Sequence, residues 1–167
     1  GHRAVALHLM DSTSVCEQLA SALQTRGWMM ATAESCTGGM IAARCTDLSG
    51  SSCWFERGFV TYSNAAKTDL LGVPADLIAQ HGAVSDAVAC AMAQGAVQRA
   101  PVQASVAVTG IAGPTGGSAD KPVGTVWLAW CVGGQLSSER RVFAGGRAEV
   151  REATVLHALQ GLLSRLN

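Results

Sequence analysis

"ASVAVTGIAGPTGGSADKPVGTVWLAWCV", residues 104–132, decides the fold. Its two ends, "ASVAVTG" (104–110) and "GTVWLAWCV" (124–132), are near-continuous apolar runs of strand length. A strand with one wet face alternates apolar and polar residues, so a run without alternation belongs to a strand covered on both faces. Between them "IAGPTGGSADKPV" is rich in Gly and Pro and reads as a loop. Downstream, the "GG" at 133–134 turns the chain into "SSERRVFA" (137–144), a further strand. Strands 125–132 and 137–144, joined by so tight a turn, pair antiparallel.

Helical patterns surround this pair. "SVCEQLASALQTRG" (14–27) opens on a capping box of Ser14 and Glu17, carries Val15, Leu19, Ala22 and Leu23 on one face and stops at Gly27. "WMMATA" (28–33) reads as a short buried strand, "ESCTGG" (34–39) as a turn and "MIAARCTDL" (40–48) as a second helix. "RGFVTYS" (57–63) is the next strand, followed by two short helices, "NAAKTDLLG" and "PADLIAQHG", punctuated by Gly72, Pro74 and Gly82. "SDAVACAMAQGAVQRA" (85–100) is a long apolar helix. "AEVREATVLHALQGLLSRL" (148–166) is amphipathic, with Val150, Val155, Leu159 and Leu162 near helical spacing. Helices flanking such strands predict an α/β sandwich with a mixed sheet in a single domain spanning residues 1–167. Gly1 and His2 read as an expression scar, and residues 1–11 are expected to be disordered or partly tag.

The composition narrows the function. Apolar residues make up 49% and charged residues 14%, against about 25% charged in an average soluble protein, which predicts much buried surface and a homo-oligomer, with a dimer favoured. Twelve basic residues balance twelve acidic ones, so no global field favours nucleic acid or an anionic membrane, and any anion must be held by a local site. No stretch reaches the roughly 18–20 apolar residues of a membrane span. Six cysteines without a C-x-x-C pair argue against a zinc ribbon or redox dithiol and fit reduced thiols in the cytoplasm. No second His stands at metal-ligand spacing, so neither a metal nor a cofactor is expected.

"VTYSNAAKTDLLG" (60–72) places a lysine in a first helical turn, where an acid is the usual choice: with Asn64 as N-cap, Lys67 falls at N3. Tyr62 is the only tyrosine and Lys67 one of two lysines, five residues apart. If both face one cleft, burial and the helix N-terminus lower the lysine pKa, and a neutral amine is a base. The alternative is an exposed lysine beside a core tyrosine. In "TAESCTGG", Ser35 and Thr37 are hydroxyls at a turn, and Gly38 and Gly39 allow close backbone approach. The turn can hold a nucleophile with an oxyanion hole, or simply be an N-cap beside glycines. Cys36, with His81 as base, is a rival nucleophile. Thr109, Gly110, Gly113, Gly116, Gly117 and Ser118 offer amides and hydroxyls to a phosphate, and Arg147 at the start of the last helix is suited to an anion. Arg151 reads as a solvated face residue.

Taken together, "TAESCTGG", "GSSCWFERGFVTYSNAAK", "HGAVS", "VTGIAGPTGG", "KPVGTVW" and "GGR" resemble the CinA-like C-terminal domain family, from about Ser14 to the final helix. The resemblance implies a three-layer α/β/α sandwich and a cytosolic bacterial enzyme of pyridine-nucleotide salvage. Its reaction would convert nicotinamide mononucleotide and water to nicotinate mononucleotide and ammonia. It carries the family's serine, tyrosine and lysine onto Ser35, Tyr62 and Lys67, and brings Thr109 and Arg147 into the pocket. Cys53, Thr115 and Gly146 depart from the usual Ala, Asp and Asp. The expected chemistry is acyl transfer, with Lys67 activating Ser35 directly or through Tyr62 and amides of Cys36 to Gly39 or of Gly110 receiving the oxyanion. Ser51, Ser52, the 113–118 loop and Arg147 would hold the ribose phosphate. The competing reading is a non-catalytic module that binds a nucleotide phosphate for regulation.

Overall fold

The computed structural model describes residues 11–167; the expectations for residues 1–10 lie outside the described residues. Asp11 is ordered as the N-cap of α1 (Ser12–Arg26), its carboxylate accepting from the Ser14 amide at 2.9 Å. Ser14 is therefore not the cap. Asp caps as well as Ser does, and the helix starts earlier than the Ser14/Glu17 pattern suggests.

β1 (Met30–Glu34) follows, then α2 (Met40–Thr46), a short 3-10 turn at Ser51–Cys53, and β2 (Phe55–Val60). Three helices come next: α3 (Asn64–Leu71), α4 (Ala75–His81) and α5 (Asp86–Arg99). β3 (Ala104–Gly110), β4 (Thr125–Val132), β5 (Gln135–Val142) and α6 (Arg147–Leu166) complete the chain. The sheet order is β2-β1-β3-β4-β5. β1 lies parallel to both β2 and β3, whereas β4 is antiparallel to β3 and to β5, so the sheet is mixed as expected. β3 matches its sequence reading residue for residue, and β3 and β4 are almost wholly buried.

The two faces carry separate cores. One packs Val15, Leu19 and Leu23 of α1, Ile41 of α2 and Val155, Leu159 and Leu162 of α6 against Met30, Val106, Leu128 and Trp130. The other packs Leu71, Ile78, Val88 and Met92, from α3 to α5, against Ala33, Ala107 and Ala129. This is the three-layer α/β/α sandwich. α3 sits close on α5 because residue 95 is glycine: a Cβ there would lie 2.1 Å from the Leu71 carbonyl oxygen.

This topology creates the site. The chain leaving β1 goes to α2 on one face, and the chain leaving β2 goes to α3 on the other. Adjacent parallel strands whose connections part to opposite faces leave a crevice outside their carboxyl ends. The residues that border it follow Glu34, Val60 and Gly110.

Candidate active site

Ser35 is the first residue beyond β1, held by its amide to the Val108 carbonyl at 3.1 Å. From the far side of the crevice α3 sends in Lys67. Ser63, not Asn64, caps this helix, its hydroxyl accepting from the Ala66 amide at 3.0 Å, so Lys67 stands at N4 rather than N3. Lys67 is only 1% exposed. Its Nζ donates to Ser35 Oγ at 3.0 Å and to the Tyr62 carbonyl at 3.1 Å, and Ser35 Oγ lies 3.4 Å from that carbonyl. Among the described residues no carboxylate pairs with Lys67. Burial lowers its pKa from the ordinary lysine value, against a weaker opposing pull from the Cys36 sulfur. Of the two causes expected from sequence, burial and the helix N-terminus, burial is the one that lowers it here.

Tyr62 borders the same cleft as Lys67 and is not the core tyrosine of the alternative reading. It lies past the end of β2, is 63% exposed, and the atom it brings to Ser35 and Lys67 is its main-chain oxygen. Cys36 is buried and its thiol is pushed up to about 12, chiefly by burial, with the Glu34 charge adding to the rise. A thiol so reluctant to ionise is a poor nucleophile.

A cleft of about 240 Å3 opens over these groups, its wall formed by Ser35, Cys36, Tyr62, Asn64, Lys67, Ala83, Val84, Gly110, Ala112 and Arg147. A second hollow, of about 280 Å3 between α3 and α4, is lined by Asn64, Ala65, Thr68, Ala75, Ile78 and Ala79 and holds no ionisable group. Of these two, the first is the one with ionisable side chains on its wall. Arg147 enters it from the first turn of α6 while donating to the Gly113 carbonyl at 2.9 Å.

Several expected residues stand behind the wall or away from it. Thr37 spends its hydroxyl on Glu34 Oε1 at 2.6 Å, and Thr109 donates to the Ala83 carbonyl at 2.9 Å, fixing the strand end against the 83–84 segment. Gly38 (φ 59°) and Gly39 (φ 106°) shape the turn without lining the cleft. Ser118 uses its amide and hydroxyl in a local turn with Lys121, at 2.9 and 3.1 Å, and the 116–118 segment is not on the cleft wall. Ser51 and Ser52 precede β2, whereas the cleft follows it, and the intervening strand spans roughly 17 Å. Within this chain they do not reach the cleft. His81 is likewise absent from its wall; its carbonyl accepts from Lys121 Nζ at 3.2 Å.

Two residues escaped the sequence reading. Glu34, fully buried, accepts from Thr37 Oγ1, from the Ile41 amide at 2.8 Å and from the Ala42 amide at 3.0 Å, which ties the Ser35 turn to the start of α2. An acid ahead of a helix N-terminus is the signal that was available. Arg151 is no solvated face residue: Nε donates to the Cys36 carbonyl at 3.1 Å and an Nη to the Thr37 carbonyl at 3.3 Å. Only its spacing of one helical turn from Arg147 hints at this. Among the described residues no cluster of three His, Cys, Asp or Glu side chains has the spacing to hold a metal. No helix among them is long and apolar enough to cross a membrane.

The sequence model of the CinA C-terminal domain matches residues 12–166. Over 147 residues the chain is 52% identical to the nicotinamide-nucleotide amidohydrolase PncC of Escherichia coli K12, covering 87% of this chain and 89% of that protein. It is 54% identical over 151 residues to the protein of the same name from Pseudomonas putida, covering 90% and 94%. The crystal structure of the competence damage-inducible protein A from Klebsiella pneumoniae superposes with a TM-score of 0.91 at 39% identity, over 94% of this chain and 98% of that one.

Proposed function

The chain belongs to the CinA C-terminal domain family, and from that premise we propose that it is a nicotinamide-nucleotide amidohydrolase using Ser35 as nucleophile and Lys67 as base. The observation that carries this reading is the buried Lys67 amine, 3.0 Å from Ser35 Oγ and without a carboxylate partner among the described residues. A neutral amine has two N–H donors and one lone pair. With the Tyr62 carbonyl engaging one N–H, the Nζ–Oγ hydrogen bond reverses in the neutral amine, whose lone pair takes the Ser35 proton as Oγ attacks the carboxamide carbon of nicotinamide mononucleotide. The tetrahedral oxyanion meets backbone amides at the Ser35 turn. Lys67 passes its proton to the departing nitrogen and ammonia leaves. Water, deprotonated by the same amine, then opens the ester to release nicotinate mononucleotide and restore Ser35.

Arg147 is the cation on the cleft wall placed to meet the phosphate, with guanidinium N–H groups to spare beyond the one on Gly113. Tyr62 acts through its carbonyl, and Thr37, Gly38, Gly39 and Thr109 support the wall. The enzyme is expected in the cytoplasm and as a homo-oligomer, a reading supported by the exposed Val60, Tyr62, Leu70, Leu136 and Val142 and testable by sedimentation.

An ammonia-release assay with nicotinamide mononucleotide, its riboside and free nicotinamide tests the function. The wild-type protein should release ammonia from the mononucleotide and the Ser35→Ala variant should not. Specific nucleotide binding without ammonia release from any of the three would replace the enzyme with the phosphate-binding module.

A further inference from the structure

The Ser35 turn has an unusual need for outside support. Gly38 and Gly39 both adopt positive φ, a freedom that leaves the direction of neighbouring peptide planes weakly set by the turn itself. Within the turn the Gly38 amide donates to the Ser35 carbonyl at 3.1 Å and the Met40 amide to the Thr37 carbonyl at 3.0 Å. Among the described residues the Thr37 amide donates to none, the Cys36 amide meets only its own sulfur, and Cys36 lies on the cleft wall beside Ser35. In a trans peptide the C=O and N–H point to opposite sides. Whatever grips the carbonyl of residue 36 therefore sets the direction of the amide of residue 37.

Arg151 is that grip. Its planar fork spans two successive carbonyls, Cys36 at 3.1 Å and Thr37 at 3.3 Å, from the first turns of α6. One turn earlier on the same helix, Arg147 holds the Gly113 carbonyl across the cleft. α6 thus pins both glycine-containing segments that flank Ser35. We propose that Arg151 is a positioning residue for the amide-hydrolysing site, holding the turn after Ser35 so that the backbone amides of that turn receive the oxyanion with little reorganisation. The inference rests on the reading of Ser35 as nucleophile.

Preorganised donors act on the transition state, so their loss lowers kcat and leaves KM nearly unchanged. Arg151→Ala should lower kcat for nicotinamide mononucleotide about 100-fold, with KM within about threefold of wild type. Arg151→Lys retains a charge and a long stem but reaches one carbonyl rather than two, and should fall between, near about tenfold. Should the alanine variant not fold, the lysine variant decides. The second readout is 3-pyridylboronic acid, which adds to Ser35 and places a tetrahedral oxygen where the oxyanion forms. Its affinity should fall in parallel with kcat in both variants, whereas affinity for the product nicotinate mononucleotide should hold.

An unchanged kcat overturns the proposal. So does a raised KM with constant kcat, which marks Arg151 as a ground-state substrate contact, and so does a kcat loss with undiminished boronate binding. A wild-type protein that releases no ammonia sinks the amidohydrolase reading instead, and the boronate titration then tests Arg151 on its own.

Discussion

Replacing Lys67 with methionine separates the amine's chemistry from its packing. The side chain is 1% exposed, so an unbranched apolar residue of similar length fills the same space. Loss of a positioned base should lower kcat by about 10²- to 10⁴-fold. Stability moves through two terms. The hydrogen bonds to Ser35 Oγ and the Tyr62 carbonyl are lost, at a cost of about 0.5–1.5 kcal/mol each at any pH. Against this, the variant no longer buries an amine whose pKa is lowered on folding. Below the folded pKa the wild-type protein carries the full penalty of that shift; between the folded value and the unfolded 10.5 the unfolded chain binds more protons, so wild-type stability rises with pH. Each unit of lowering is worth about 1.4 kcal/mol. For a chain of this size that is roughly 3–6 °C in Tm. The difference Tm(Lys67→Met) minus Tm(wild type), followed by thermal melts from neutral pH to pH near 10.5, should therefore fall as pH rises. Wild-type kcat/KM should rise over pH with a midpoint below 10.5 as the amine loses its proton. A flat Tm difference would mean that Lys67 is as easily protonated in the fold as in water. Full activity in the variant would remove it from the mechanism.

Three further substitutions sort the neighbouring groups. Cys36→Ala should keep kcat within about threefold, because the thiol is buried and un-ionised; a loss matching that of Ser35→Ala would transfer the nucleophile's role to sulfur. Tyr62→Phe should also stay within about threefold of wild-type kcat, since the main-chain oxygen and not the phenol touches the reacting pair; a hundredfold loss would restore the phenol to the proton path. Glu34→Gln keeps the shape but turns one acceptor into a donor facing N–H and O–H groups, and should cost about 1–3 kcal/mol in denaturant unfolding; unchanged stability would show that the buried carboxylate does not brace the turn.

The layers of this fold are written plainly in the sequence because burial on both faces leaves little choice of residue: 104–110 and 125–132 are strands that no polar residue interrupts for long. Helix starts are less plain. Asp11 and Ser63, each next to another residue able to cap, take the role expected of Ser14 and Asn64, and propensity alone does not separate such neighbours. The Ser35/Lys67 pair was legible as rare residues in a suggestive motif, and burial was among the causes expected for the lysine, but its extent was not, because desolvation is a property of what packs around the amine. Ser51 and Ser52 lie away from the cleft within this chain because they precede β2, and adjacency to a motif says nothing about which end of a strand a residue occupies. Arg151 was illegible for a related reason, since its partners lie 114 and 115 positions away and are main-chain atoms that carry no sequence signal.

Desolvation also sorts the chemistry at the site. Removing water penalises whichever protonation state is charged, so one environment drives the Lys67 amine and the Cys36 thiol alike toward neutrality. For the amine, neutrality exposes a lone pair and makes it a base. For the thiol, neutrality removes the thiolate on which its nucleophilicity depends. Serine is indifferent to this filter because its hydroxyl need not ionise in advance; it surrenders its proton only as the new bond forms, to an acceptor already 3.0 Å away. A dry crevice that holds a serine, a cysteine and a lysine together thus favours the serine as nucleophile without any residue to exclude the sulfur. On the proposed mechanism the same burial strengthens the pull of backbone amides on a developing oxyanion.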